Sequence, residues 1–184
     1  QFFRNLRDRG DDTDEDRTGQ TGEGGAGRGQ PLGPWLMTRT AQLSELLRSA
    51  TLQEWGGRRF RLEIEGANPF FFHLIRPIDA VDITIHPTPE EIESNPVLEQ
   101  LPRTPNLPLY PAGFGRVAVS LAVDESGTLV LVVHEIMASR EWWKLDSRTK
   151  RQYKVWRQGI LDQLKAIAPL LGASRMAVIS DREV

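Results

Sequence analysis

"GRVAVSLAVDESGTLVLVVHEIMAS", residues 115–139, decides how the rest of the chain is read. Two apolar runs flank Asp124-Glu125-Ser126-Gly127, whose residue types favour a tight turn, so the stretch is a β-hairpin. Its second strand, from Thr128 to Ile136, is apolar at consecutive positions. A strand of that kind is buried on both faces and lies inside a sheet. On such a strand His134 and Glu135 are expected to point to opposite faces and not to act together.

Downstream, Tyr153, Trp156, Ile160, Leu164, Ile167 and Leu171 recur at helical spacing, and one helix is expected from about Ser147 to Leu171. Asp146 and Ser147 mark its start, and Pro169 and Gly172 its end. "RMAVIS" (175–180) reads as a last strand. Upstream, Leu43, Leu46, Leu47 and Ala50 form a helical stripe, capped by Thr38 or Thr40 and stopped at Gly56-Gly57. "RRFRLEIEG" (58–66) alternates as a half-buried strand, with Phe60, Leu62 and Ile64 on one side. "FFFHLIRP" (70–77) reads as its hairpin partner across Asn68-Pro69, and "AVDITIHP" (80–87) as a third strand. The fold class is therefore α+β: a mostly antiparallel sheet of about five to six strands, with a long C-terminal helix and an N-terminal helix packed on it.

Two segments depart from this pattern. Residues 1–30 carry seven Gly and the acidic run "DDTDED", with almost no apolar side chain after Leu6. Such a segment cannot offset chain entropy by burial and is expected to be a disordered or extended arm, with Phe2, Phe3 and Leu6 as a short anchor. Residues 31–184 are expected to form a single domain, with a Pro-rich loop at 87–111 that holds seven prolines. Within that loop Thr88 caps a short helical turn and Pro89 occupies its first position.

The whole chain has 184 residues, a net charge of −2, 39% hydrophobic residues and no Cys. Disulfides, Cys-based zinc sites and thiol nucleophiles are excluded. No run is long enough for a transmembrane helix. Gln1 in place of an initiator Met reads as a processed or excised end. The compartment is expected to be an organelle holding a processed chain, or else the cytoplasm.

Positive charge is concentrated locally. "REWWKLDSRTKRQYKVWRQG" (140–159) holds seven basic residues and two acidic ones, and most of the cations fall at a helix start, where the backbone dipole is already positive. An anion offsets that cost. Arg148, Lys150, Arg151, Lys154 and Arg157, with Trp142 and Trp143, are the candidate anion- or partner-binding residues. The leading expectation is a non-enzymatic binding or assembly subunit that docks on an acidic or phosphate-bearing protein or larger complex. It needs no cofactor and no metal, and no residue stands out as catalytic. A nucleic-acid-binding module that stacks bases on the two Trp is a further alternative.

The hairpin, followed by "RQGILDQLKAIAPLLGASRMAVIS" (157–180), also resembles the central part of the GNAT acetyltransferase family. There a hairpin feeds a strand, a pyrophosphate-binding loop, a helix and another strand. The resemblance implies an acyltransferase with a cleft beside the strand at 129–136 and a helix that starts near Gly159. The family's loop motif, Gln/Arg-x-x-Gly-x-Gly/Ala, aligns with Trp156–Leu161, where the first and last positions differ. His86-Pro87-Thr88 matches half of the His-x-Thr pair of two-histidine phosphoesterases; neither His73 nor His134 supplies the other half.

Overall fold

Alternating apolar side chains and a few well-placed caps build most of the architecture. The computed structural model describes residues 32–66, 80–105 and 110–179. In chain order these form α1 (Leu32–Arg48), β1 (Leu52–Trp55), β2 (Arg58–Glu65), β3 (Val81–Pro87), α2 (Pro89–Ser94) and a 3-10 turn (Pro96–Gln100). There follow β4 (Gly115–Val123), β5 (Leu129–Ala138), α3 (Arg140–Lys144), α4 (Ser147–Tyr153), α5 (Trp156–Ile167), a 3-10 turn (Ala168–Leu171) and β6 (Arg175–Val178). The six strands form one sheet in sequence order, antiparallel throughout except for the parallel β5–β6 pair. The fold is thus α+β, with a mostly antiparallel six-stranded sheet and helices from both ends of the chain.

Phe60 and Leu62 of β2, Ile83 and Ile85 of β3, Val117 and Val119 of β4, and Leu131 and Val133 of β5 all point to one face. Leu43 and Leu47 of α1 and Ile160 and Leu164 of α5 join the same buried cluster, so both helices cover that face. An aromatic group closes its end: Phe114 stacks on Tyr153 at 5.4 Å and meets Phe60 and Trp142 edge-on.

Helix α1 begins at Leu32, so Thr38 and Thr40 lie inside it and do not cap it. Gly56-Gly57 does not stop a helix. Both glycines have positive φ (57° and 73°) and make the two-residue turn of a β1–β2 hairpin, a left-handed pair of positions open to Gly at no steric cost. The expected helix 147–171 is divided: α4 ends at Tyr153, α5 begins at Trp156, and the last turn tightens to 3-10 at Pro169. The stripe from Tyr153 to Leu171 is nevertheless buried as expected. Finally, β2 pairs directly with β3, in the register Leu62↔Ile85. The expected strand 70–77, the arm 1–30 with its anchor Phe2, Phe3 and Leu6, and residues 106–109 of the Pro-rich loop lie outside the described residues.

Part of the Pro-rich segment is built into the fold. Thr88 caps α2, and the buried Glu91 on α2 ties three elements together. Its carboxylate accepts the Arg59 N–H at 2.9 Å and the Tyr153 hydroxyl at 2.5 Å, with the Arg58 guanidinium 3.8 Å away. Burial, and next the Glu91 hydrogen bond, push the Tyr153 phenol up to about 12, so it remains a donor at neutral pH. Tyr153→Phe removes a hydrogen bond to a charged group while keeping the ring. The expected loss is about 1.5–3 kcal/mol, read as a lower midpoint in urea unfolding with an unchanged slope. An unchanged midpoint would show that Glu91 is satisfied without Tyr153.

Candidate active site

The site is created by an irregularity between β4 and β5. Ala118 pairs with Glu135, but Val119 pairs with Val133, so His134 is an extra residue on β5. A bulge of this kind turns two successive side chains to one side. Ser120 Oγ lies 2.5 Å from His134 Nε2, and Arg116 Nη2 lies 3.4 Å from Glu135 Oε2. Arg116 and Ser120 are four residues apart on β4 and share a face, so His134 and Glu135 share it too. This corrects the expectation that the two point apart. Arg116 is 3% exposed, and its Nε lies 3.9 Å from the buried Asp82. The face opposite the helices therefore carries buried charge. His86 lies on it as well, 2.8 Å from Glu63. Burial, and then the charge of Arg61, lower the His86 pKa against the raising effect of Glu63.

The bulge also changes what lies at the edge of β5. Before it, the Ser174 N–H bonds the Leu129 C=O, and the Ile179 N–H bonds the Val133 C=O at 2.9 Å, where the β6 pairing ends. After it, the Ser139 N–H bonds the Phe114 C=O at 3.0 Å. By the alternation of an antiparallel ladder, Glu135 and Met137 then turn their N–H and C=O toward β4. Ile136 and Ala138 turn theirs the other way, past the end of β6.

A cleft of about 620 Å³ is lined by Glu135, Ile136, Met137 and Ala138 of β5. Arg140, Trp143, Lys144, Arg157 and Tyr110 line it as well. Trp143 is 62% exposed. The Arg157 guanidinium stands 5.7 Å from its ring, and Lys150 Nζ donates to its carbonyl at 3.1 Å. Arg140 lies 5.9 Å over the Tyr110 ring.

The candidate binding residues are thus separated. Trp143 and Arg157 line the cleft and Lys150 stands behind Trp143, whereas Trp142 is 4% exposed, packed between Phe114 and Trp156. Arg148, Arg151 and Lys154 are exposed on or just after α4 and do not line the cleft. Sequence reasoning missed Tyr110, Arg140 and Lys144 as site residues and set Glu135 aside; the basic run signalled Arg140 and Lys144, and nothing local signalled the bulge. The stretch aligned with the pyrophosphate loop, Trp156–Leu161, is the beginning of α5. Gly159 within it serves packing, since a Cβ there would stand 2.2 Å from the Trp55 ring. Among the described residues no group of His, Asp and Glu has the arrangement of a metal site, and no helix is long and apolar enough to cross a membrane.

No family model and no curated protein matches the chain. Among solved structures it is similar to a probable acetyltransferase, at 18% identity and a TM-score of 0.32, covering 57% of this chain and 52% of that one. It is also similar to an acetyltransferase of Trypanosoma brucei, at 10% identity and a TM-score of 0.31, covering 78% and 62%. The chain therefore spans between half and two thirds of the length of either. Both are enzymes by name, in contrast to the expectation of a non-enzymatic binding or assembly subunit.

Proposed function

We propose that the chain is an acyltransferase of the GNAT-like kind, which binds an acyl-CoA thioester along the open edge of β5 and passes the acyl group to an amine. The observation that carries this reading is the bulge at His134, beyond which the described β6 pairing ends and Glu135 lines a cleft together with Arg140, Lys144 and Arg157. The pantetheine arm of CoA contains two amides. An extended chain with amides adds to a sheet edge through its backbone-like groups, and Ile136 and Ala138 offer theirs on the side where β6 has ended. The cations lining the cleft suit the phosphates, since Arg and Lys bind phosphate oxygens by charge-assisted hydrogen bonds.

In the transfer step the amine nitrogen attacks the thioester carbonyl carbon. A C–N bond forms and the C–S bond breaks. The nitrogen's proton goes to the Glu135 carboxylate, and the thiolate leaves and is protonated, for which the Tyr110 hydroxyl is the donor among the lining residues. Arg116 orients Glu135, and the Ser120–His134 contact holds the bulge.

Titration with acetyl-CoA, followed by tryptophan fluorescence, tests the binding half, because Trp143 lines the cleft. Thiol release in the presence of a panel of primary amines tests the transfer half. Saturable quenching with amine-dependent thiol release is expected. No saturable binding up to about 1 mM, equivalent to less than about 4 kcal/mol of binding free energy, would sink the reading.

A further inference from the structure

The connection between β5 and the helices differs from a phosphate-binding loop in a way that bears on the donor. A loop that cradles a diphosphate presents successive backbone N–H groups, and glycine allows the close approach. Here no glycine occurs between Gly127 and Gly159. Instead the chain winds into α3, where Ser139 Oγ already accepts the Trp142 N–H at 3.1 Å and the Leu145 N–H bonds the Trp142 C=O. Trp142 anchors the turn in the core. The next helix start is closed to anions as well. Asp146 caps α4, taking the Thr149 N–H at 2.9 Å and the Thr149 hydroxyl at 2.7 Å, and these bonds lower its pKa. A carboxylate thus stands where a diphosphate would need amides. For a phosphate the cleft supplies side-chain cations beside Trp143: Arg140, Lys144 and Arg157.

Resting on the acyltransferase reading above, we infer that the site recognises its donor as a thioester of 4′-phosphopantetheine, through the amide arm and one phosphate, and does not read the nucleotide. Side-chain cations lining the cleft supply charge attraction without the shaped cradle that would fix a diphosphate and position the adenosine beyond it.

The test compares four probes on the intact chain by tryptophan fluorescence and calorimetry: CoA, 4′-phosphopantetheine, pantetheine and adenosine 3′,5′-diphosphate. CoA and 4′-phosphopantetheine are expected to bind within about threefold of each other, and pantetheine about tenfold or more weaker, the loss of a charge-assisted contact. The adenosine diphosphate should not displace CoA. A Lys144→Gln/Arg157→Gln double variant, changed only at exposed positions, should fold normally and lose the advantage of 4′-phosphopantetheine over pantetheine. Binding of CoA about tenfold tighter than 4′-phosphopantetheine, or displacement by the adenosine diphosphate, would show that the nucleotide is read. That outcome overturns this inference and leaves the acyltransferase reading standing. Failure of all four probes to bind overturns both.

Discussion

Glu135→Gln is expected to lower the rate of acyl transfer about 10²- to 10⁴-fold while leaving acetyl-CoA binding nearly unchanged, the range typical for removing a general base. Among the described residues Glu135 is the one carboxylate lining the cleft, next to the strand edge assigned to the donor. It is held there by Arg116 across β4 and by the bulge that turns it to the same face as His134. Gln keeps the size and still accepts a hydrogen bond, so the fold and the donor site should survive, but it cannot take the amine's proton. The loss should therefore appear in kcat, with an unchanged fluorescence titration. Equal losses of binding and rate would mean that Glu135 shapes the cleft rather than accepting a proton. Full activity would move the base elsewhere.

Gly115→Ala should cost about 3 kcal/mol, at the upper end of the usual penalty for forcing extra atoms into a packed core. For a chain of this size that corresponds to a fall in Tm of about 6–12 °C. A Cβ at Gly115 would stand 2.4 Å from the Met137 carbonyl oxygen, 2.7 Å from the tip of the Trp156 ring and 3.0 Å from the Ala138 Cα. Two of these atoms are backbone of the paired strand, and the third belongs to a fully buried side chain, so none can move aside cheaply. Gly33 is the control: it lies in α1 with nothing within 4 Å of its would-be Cβ, and Ala there should be neutral or stabilising by up to about 1 kcal/mol. Equal melting temperatures for the two variants would mean that β4, β5 and α5 yield more readily at this point than their packing implies.

By itself the sequence determined the α+β class, the 115–138 hairpin, the cap at Asp146, the buried stripe from Tyr153 to Leu171 and the alternation of β2 and β3. Each of these follows from neighbours a few residues apart: a period of two or 3.6, a capping side chain, a turn residue. Local rules cannot count residues across strands, and the decisive features depend on that count. Gly56-Gly57 is chemically fit to end a helix or to turn a hairpin, and only the presence of β2 beside Leu52–Trp55 chose the hairpin. The same limit hid the site. His134 and Glu135 alternate faces on any isolated strand; they share one here because β4 offers one residue fewer than β5 at that point. The same one-residue excess turned Ile136 and Ala138 to the edge where β6 stops. Tertiary structure also sorted the basic run, burying Trp142, drawing Arg140, Lys144 and Arg157 around Trp143, and leaving Arg148 and Arg151 outside the cleft. A cation's place on a helix can be read from spacing, but the cleft it faces exists only once the strands are paired.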